Sequence, residues 1–533
     1  MSIGNNIRRL RNTAGISQEK FAAILGVTRQ AVQKWESDIC VPETDKAVKI
    51  AKYFGITLDS LILDSSSRTV EEIVSSNKNV KPDFDNIEAW APYTNDIMIE
   101  LEQSLDEGLD LEKYRELFSA VSMLPKSETR HKFCDLLYET VANAQQIPDY
   151  KYTEPSDLES IKSLRKPYAF KSSKSDISAL EKKIHGAWIG RVCGCLLGKP
   201  IEGIRTDELI PLLKETKNYP MHRYLLSSDI TEEMCEKYSF RLRNKAYADT
   251  VNGMPVDDDT NYVVLAQKII SDYGRNFTPN DVLKAWRKYQ SIDSYFTAER
   301  VAFQNYINGF EPPKSASFKN PYREWIGAQI RGDYFGYINP GNPELAAEMA
   351  FKDACISHIK NGIYGEMFVS AMLACAAVTN DIKDIVLGGL AQIPCTSRLF
   401  EAVLKVVGDF ENGVSKKECF GKIHTLFDEH KSHGWCHTIS NAMIVTASLL
   451  YGGGDFGKSI CIAVETGFDT DCNGATVGSI LGMRNAINSI DDVWTKPIND
   501  IIHTSILGAE TVKISECVQE TMRHILIDKE LIK

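Results

Sequence analysis

The sequence predicts an all-α chain, and three observations carry that prediction. Its apolar runs recur at the three- and four-residue intervals of an amphipathic helix, as in YVVLAQKIISDYG (residues 262–274), MFVSAMLACAAV (367–378) and NAMIVTASLLYG (441–452). These runs do not alternate residue by residue as half-buried strands do. No unit repeats at a period of about 20–50 residues, so a solenoid or propeller is not indicated.

With 533 residues, of which 43% are hydrophobic, the chain exceeds what one core normally serves, and two or more domains are expected. The longest Gly/Ala/Leu-rich stretch, residues 186–198, is interrupted by Arg191 and is too short to cross a hydrocarbon layer of roughly 30 Å, so no membrane partner is expected. The opening MSIGNNIRRLRN lacks the apolar core of a secretory signal, which predicts a cytoplasmic protein. Thirteen cysteines run from Cys40 to Cys517 without a CxxC pair, and in a reducing compartment they are expected as buried thiols. Neither a disulfide framework nor a zinc ribbon is indicated. The net charge of −11 conceals a basic head: residues 1–63 hold nine Lys/Arg against six Asp/Glu. Only that head is suited to a phosphate backbone.

Three segments follow from these patterns. Residues 1–63 read as short helices around Ile7, Leu10, Ile16, Phe21, Leu25, Val27, Val32, Trp35 and Ile50. Residues 64–150 open with the polar stretches SSSRT (65–69) and SNKNVKPDFDN (76–86), which suit a connector, and then regain helical periodicity. The helical part, 87–147, is expected as a spacer or a dimerisation arm, so a homodimer is left open. Residues 151–533 form the large domain.

In the head, Ser17 is a good N-cap for a helix beginning at Gln18, and Gly26 permits a sharp turn. Thr28 then caps a second helix in which Val32 and Trp35 face inward. Gln18 lies at the first helix start, and Arg29, Gln30, Gln33 and Lys34 point outward from the second. Such side chains can read base edges in the major groove. Over about 60 residues, including SQEKFAAILGVTRQAVQKWE, the head resembles the Cro/C1-type helix-turn-helix family, which implies a small five-helix-type DNA-binding domain. The resemblance implies base contacts from Arg29, Gln30 and Lys34 and a phosphate contact from Gln18. A helix pair that contacts only protein is the alternative.

Two acidic clusters mark the large domain: Asp257-Asp258-Asp259-Thr260 and, roughly two hundred residues later, Asp469-Thr470-Asp471-Cys472. Adjacent carboxylates repel, and a hard divalent cation such as Mg²⁺ or Mn²⁺ relieves that repulsion. Either cluster alone could equally cap a helix. In HGAWIGRVCGCLLGKPIEG, Gly186, Gly190, Gly194 and Gly198 recur every fourth residue, making one bare helical face. Each glycine costs about 1 kcal/mol relative to alanine, so close approach of a helix or a ligand is expected.

Together these features resemble the ADP-ribosylglycohydrolase family over roughly residues 180–490, with EPSDLE near Glu154 as a potential start. The resemblance implies an all-α fold holding two Mg²⁺ ions, with Asp258, Asp259, Asp469 and Asp471 as ligands. It also implies that Glu202 works near the scissile bond. Asp257 stands where the family carries a hydroxyl residue, Cys472 where it carries threonine, and Cys195 where many members carry aspartate. Aspartate can still ligate Mg²⁺ but a thiol is a poor partner for a hard ion, so Asp257 and Cys472 stay in the candidate metal set with one ion expected to be held differently or weakly. Gly327-Ala328-Gln329-Ile330-Arg331 and Ser357-His358 match family segments near the ligand, so Arg331 and His358, with Gly198 and Gly474, are substrate-binding candidates. Structural roles are the alternative for each. His433 and His437 have zinc-like spacing, but Gly434 disfavors the helix it needs, and WCHTISNA can instead line a pocket.

The implied function is metal-dependent release of ADP-ribose from a modified acceptor, coupled to sequence-specific DNA binding, with Asp258 and Asp259 acting beside Glu202. The alternative is a transcription regulator whose large domain senses an ADP-ribose-like ligand without turnover.

Overall fold

The computed structural model describes residues 2–58, 61, 83–84, 87–169, 172 and 176–531. The polar stretch 65–69, and all of 76–86 except 83–84, lie outside the described residues. The chain forms two compact units, Met1–Asp83 and Phe84–Lys533.

In the first unit, α1 (Ile3–Thr13), α2 (Gln18–Leu25), α3 (Arg29–Glu36) and α4 (Thr44–Phe54) enclose Ile7, Phe21, Leu25, Val32 and Ile50. The hydroxyls of Ser17 and Thr28 accept the N–H groups of Lys20 and Ala31, each at 3.2 Å, satisfying donors that a helix start leaves unpaired. Gly26, at φ +68°, ends α2 in the left-handed conformation and sets the turn into α3. Glu36, at the end of α3, is buried beneath Arg11 at 2.5 Å.

The second unit is helical apart from one two-stranded ladder among the described residues. Its strands, β1 (Ile501–His503) and β2 (Thr511–Lys513), pair antiparallel with Ile502 opposite Val512. The unit begins at Phe84 and includes the stretch up to residue 150 along with the rest. Helices α5 (Ile97–Asp106), α6 (Arg115–Ser122) and α7 (Glu128–Ala142) carry a small core of Ile97, Leu101, Phe118 and Leu137. The stretch expected as a spacer is tied to the rest of the unit by buried charge: Arg323 pairs with Glu100 at 2.8 Å and with Glu107 at 2.7 Å. Sequence periodicity reports the helices here but not these pairings, whose partners lie more than two hundred residues apart.

Two helices form the axis of the unit, α8 (Ile177–Gly198) and, much later, α12 (Thr470–Asn485). Between them in sequence come α9 (Asp258–Tyr273), α10 (Lys360–Ala376) and α11 (Thr438–Gly452). The glycine face of α8 meets a matching face of α12 in antiparallel register. A Cβ on Gly186, Gly190 or Gly194 would fall within 3.0 Å of the carbonyl oxygen of Gly482, Gly478 or Gly474, and one on Gly198 would strike the Asp471 backbone. The spacing therefore serves backbone-to-backbone packing, and that packing brings the C-terminus of α8 against the N-terminus of α12. No helix among the described residues is long and apolar enough to cross a membrane.

Candidate functional site

Both acidic clusters occupy the first turn of a helix. Asp257 is the N-cap of α9, its Oδ1 accepting the Asp259 N–H at 2.9 Å, and Asp258 and Asp259 follow. Asp469 is the N-cap residue of α12, and Asp471 lies in its first turn. Unpaired N–H groups and the helix dipole favour carboxylates at such positions. The two starts converge: Glu202, Asp257, Asp258, Asp469, Asp471 and Cys472 line one cavity of about 490 Å³. That volume is within the range of small-molecule sites.

Asp259 lies behind the cavity wall. One ligating atom each from Asp257, Asp259, Asp471 and Cys195 lie within 4.8 Å of one another, as do those of Asp469, Asp471 and Cys472. Two cations reach into this set. Lys199 contacts Asp257 Oδ2 at 2.6 Å, and Arg191, fully buried on α8, contacts Asp259 Oδ1 at 2.8 Å and Asp333 at 2.9 Å. They leave negative charge in excess, and Oδ2 of Asp259 and Oδ1 of Asp471 are buried without a hydrogen-bond partner. A buried carboxylate oxygen with no donor is costly.

The electrostatics follow from this crowding. Burial, then Asp257 and Glu202, push the Asp258 carboxyl from 3.8 up to about 8. Burial is the first cause for Asp259, Asp469 and Asp471 as well, all raised well above the ordinary range. Glu202, on the turn after the short helix Lys199–Ile201, is solvent-exposed at the residue level. Its carboxyl is raised chiefly by the charge of Asp471 and secondarily by surrounding atoms. The Cys472 and Cys195 thiols are pushed up by burial and then by neighbouring aspartates.

Hard oxygen donors in excess, with two left unpartnered, fit a divalent cation of the Mg²⁺ or Mn²⁺ class. One ligating atom each from Asp106, His433 and His437 also lie within 4.8 Å of one another. The Trp325 indole N–H donates to His433 Nδ1 at 3.1 Å, and the Ile439 N–H donates to His437 Nδ1 at 3.1 Å. Each ring therefore carries its proton on Nε2, and that of His433 faces Asp106 at 2.9 Å. A metal at Nε2 of either ring would have to displace that proton.

The four substrate-binding candidates do not line the cavity. Gly198 and Gly474 are committed to helix packing. Arg331 is buried and bound to Asp353, Glu299 and Ser357. His358 is buried too, with Nδ1 at 2.8 Å from the Ser357 hydroxyl, and burial lowers its pKa well below the usual value. What reaches the cavity instead is Glu299, held by Arg331 from behind. Lys199, Trp90, Phe296, Trp435 and Cys436 also line it. Trp435 and Cys436 belong to the WCHTISNA segment, and Lys199 directly follows Gly198. Nothing local marks Glu299 or Trp90.

In the first unit Arg29, Gln30, Gln33 and Lys34 are exposed along α3, with Arg29 ion-paired to Glu19 at 2.8 Å. Gln18 differs: its amide donates to the buried Glu36 carboxylate at 2.8 Å. Its side chain is thus committed within the unit.

A family model described as ADP-ribosylglycohydrolase matches residues 176–523, and one described as helix-turn-helix matches residues 7–61. An uncharacterized protein of Archaeoglobus fulgidus is 23% identical over 328 residues, 60% of this chain and 93% of that protein. The HTH-type transcriptional activator BcrR of Enterococcus faecalis is 30% identical over 87 residues, 16% of this chain and 42% of that protein. An uncharacterized HTH-type transcriptional regulator of Bacillus subtilis, YgzD, is 39% identical over 57 residues, 11% of this chain and 86% of that protein. A solved structure titled ADP-ribosylglycohydrolase-related protein complex aligns with a TM-score of 0.41 at 16% identity, covering 65% of this chain and 99% of that one.

Proposed function

Because the chain belongs to the ADP-ribosylglycohydrolase family and carries a helix-turn-helix at its N-terminus, we propose that it is a metal-dependent hydrolase that releases ADP-ribose from a modified acceptor and binds DNA through its first unit. The observation that supports this most is the shared cavity: acids from two distant helix starts meet in it, with buried oxygens left unpartnered.

Asp258, Asp259, Asp469 and Asp471 would hold the cation, with Asp257 and Cys472 at its margin. A divalent ion held there would supply Lewis acidity at the ribose and the attacking water. Glu202 moves the proton. In its acid form it gives a proton to the leaving atom of the acceptor as the bond to the anomeric carbon breaks; its place beside Asp471 and Asp257 raises its carboxyl toward that form. As carboxylate it then takes a proton from the water that adds to that carbon. Lys199 fixes Asp257 while Asp257 caps α9, so the cluster is oriented before substrate arrives. Arg29, Gln30, Gln33 and Lys34 on α3 are the residues that would meet DNA.

The test is release of free ADP-ribose from a panel of modified substrates in Mg²⁺ or Mn²⁺. Activity should vanish in Asp258→Ala and Asp469→Ala. A folded, metal-loaded and inactive wild type would overturn the hydrolase reading. It would favour the second one, a transcription regulator that senses ADP-ribose without turnover. Cys472, whose soft sulfur shares the cluster with Asp469 and Asp471, favours that alternative. In it, operator affinity must change when ADP-ribose is added, because a regulator binds its ligand unequally in its two DNA-binding states.

A further inference from the structure

The cavity that holds the acids also has an aromatic wall, and part of that wall comes from outside the segment matched by the family model. Trp90 lies in the second unit but precedes residue 176, where the match begins. Its ring stands at 89° to that of Phe296, with centroids 5.5 Å apart, and both residues line the cavity. Two rings at right angles offer a flat guest one face to stack on and one edge to meet.

Trp435, the other tryptophan in the wall, is already engaged. The Arg205 guanidinium lies 4.6 Å over its ring, and its indole N–H donates to the Gly467 carbonyl at 3.1 Å. Phe296, by contrast, remains 40% exposed.

Backbone conformation singles out the same place. Trp90 has φ +58° and Thr297 has φ +37°. Both line the cavity. Left-handed backbone is unfavourable for a bulky or a β-branched residue and persists where the surroundings hold it, most often at ligand sites. The surroundings here are specific. Glu88 pairs with Arg300 at 3.6 Å, Arg300 also reaches Asp293 at 3.2 Å, and Arg130 donates to the Thr94 carbonyl at 2.8 Å. The segment bearing Trp90 is thereby pinned at both ends against the wall it joins.

We propose that Trp90 is a specificity-determining residue that stacks on the heteroaromatic ring of a nucleotide ligand, so that the segment preceding the hydrolase fold completes the binding site. The proposal rests on the ADP-ribose reading above. A ligand of this class brings a purine and a ribose diphosphate, and the cavity presents aromatic surface beside its acids.

The experiment titrates full-length wild type, Trp90→Ala and Trp90→Phe with ADP-ribose and with ribose 5-phosphate, which lacks the base. Mn²⁺ binding and melting temperature are followed in each to report an intact cavity. Base–aromatic stacking predicts that Trp90→Ala weakens ADP-ribose about ten-fold or more and ribose 5-phosphate less than about two-fold, with Trp90→Phe close to wild type. Equal loss for both ligands, or unchanged ADP-ribose affinity in Trp90→Ala, overturns the stacking role and leaves the ADP-ribose reading standing. Wild-type protein that binds Mn²⁺ but neither sugar overturns the ADP-ribose reading, and this inference with it.

Discussion

Gly194 and Gly474 face each other so closely that a Cβ on either would fall within 3.0 Å of the other's carbonyl oxygen. The obstacle is backbone on both sides, so neither neighbour can swing away as a flexible side chain would. Alanine would gain about 1 kcal/mol of helix propensity, yet overpacking typically costs about 1–3 kcal/mol, and an unyielding wall puts Gly194→Ala at or above the top of that range. Because Asp471 begins the same helix, divalent-cation binding should weaken in parallel. Gly421→Ala is the control: exposed, helical and with open space around it, it should stabilise by up to about 1 kcal/mol. Denaturant melts of both variants, with and without Mn²⁺, check the pair.

A second prediction concerns pH. Asp258 is raised from 3.8 to about 8. A group raised on folding contributes stability that is full below its unfolded value and is lost as pH rises through the folded one. Metal-free protein should therefore lose stability between about pH 4 and 8. A cation offsets the same repulsion and binds the deprotonated acids, so the melting-temperature gain from saturating Mn²⁺ should grow across that window. A gain that is flat, or that shrinks with rising pH, would contradict the electrostatic account. Asp258→Asn should make the metal-free profile shallower, leaving the part that Asp259, Asp469 and Asp471 contribute.

How far the sequence could be read depended on whether the signal was local. The glycine spacing on α8 and the two acid clusters are patterns within a few residues, and both were legible. Their meeting was expected through the family resemblance alone and not from any local pattern, because it is made by a helix partner nearly three hundred residues away: the antiparallel register of Gly186, Gly190 and Gly194 with Gly482, Gly478 and Gly474 sets it. For Arg331 and His358 the sequence left a substrate contact and a structural role open. A short motif could not decide between them, because which way a side chain turns depends on Asp353, Glu299 and Ser357, which bind both residues in the interior. Residues 87–147 read correctly as helices, but their attachment runs through Arg323 and Lys360, which no local pattern links to Glu107.

The third prediction follows from Cys472, whose sulfur lies within 4.8 Å of ligating oxygens of Asp469 and Asp471. Sulfur favours soft and borderline ions, and hydroxyl oxygen favours hard ones. Cys472→Thr should shift the ratio of Cd²⁺ to Mg²⁺ affinity toward Mg²⁺ by about ten-fold or more, a size typical of changes at the margin of a metal site. With Co²⁺, wild type should show near-ultraviolet sulfur-to-metal charge-transfer absorption that the variant lacks. Identical spectra and affinity ratios would place the thiol outside the coordination shell.

The fourth prediction separates Gln18 from the exposed face of α3. Arg29, Gln30, Gln33 and Lys34 have no burial to lose, so their substitution should alter DNA binding with little change in stability. Lys34→Ala should weaken binding to all sequences and lower the salt slope by about one if it meets phosphate, whereas a base contact from Arg29 or Gln33 should cost about 1–3 kcal/mol at one position of the site only. Gln18 is bonded to Glu36, which is buried and also holds Arg11. Gln18→Ala leaves that carboxylate short of a donor, a loss of about 1–3 kcal/mol in the folding of the first unit. Its effect on DNA should then follow stability: restored at low temperature, with an unchanged salt slope. A lower slope with unaltered melting would instead return Gln18 to the phosphate contact that its position at the start of α2 suggests.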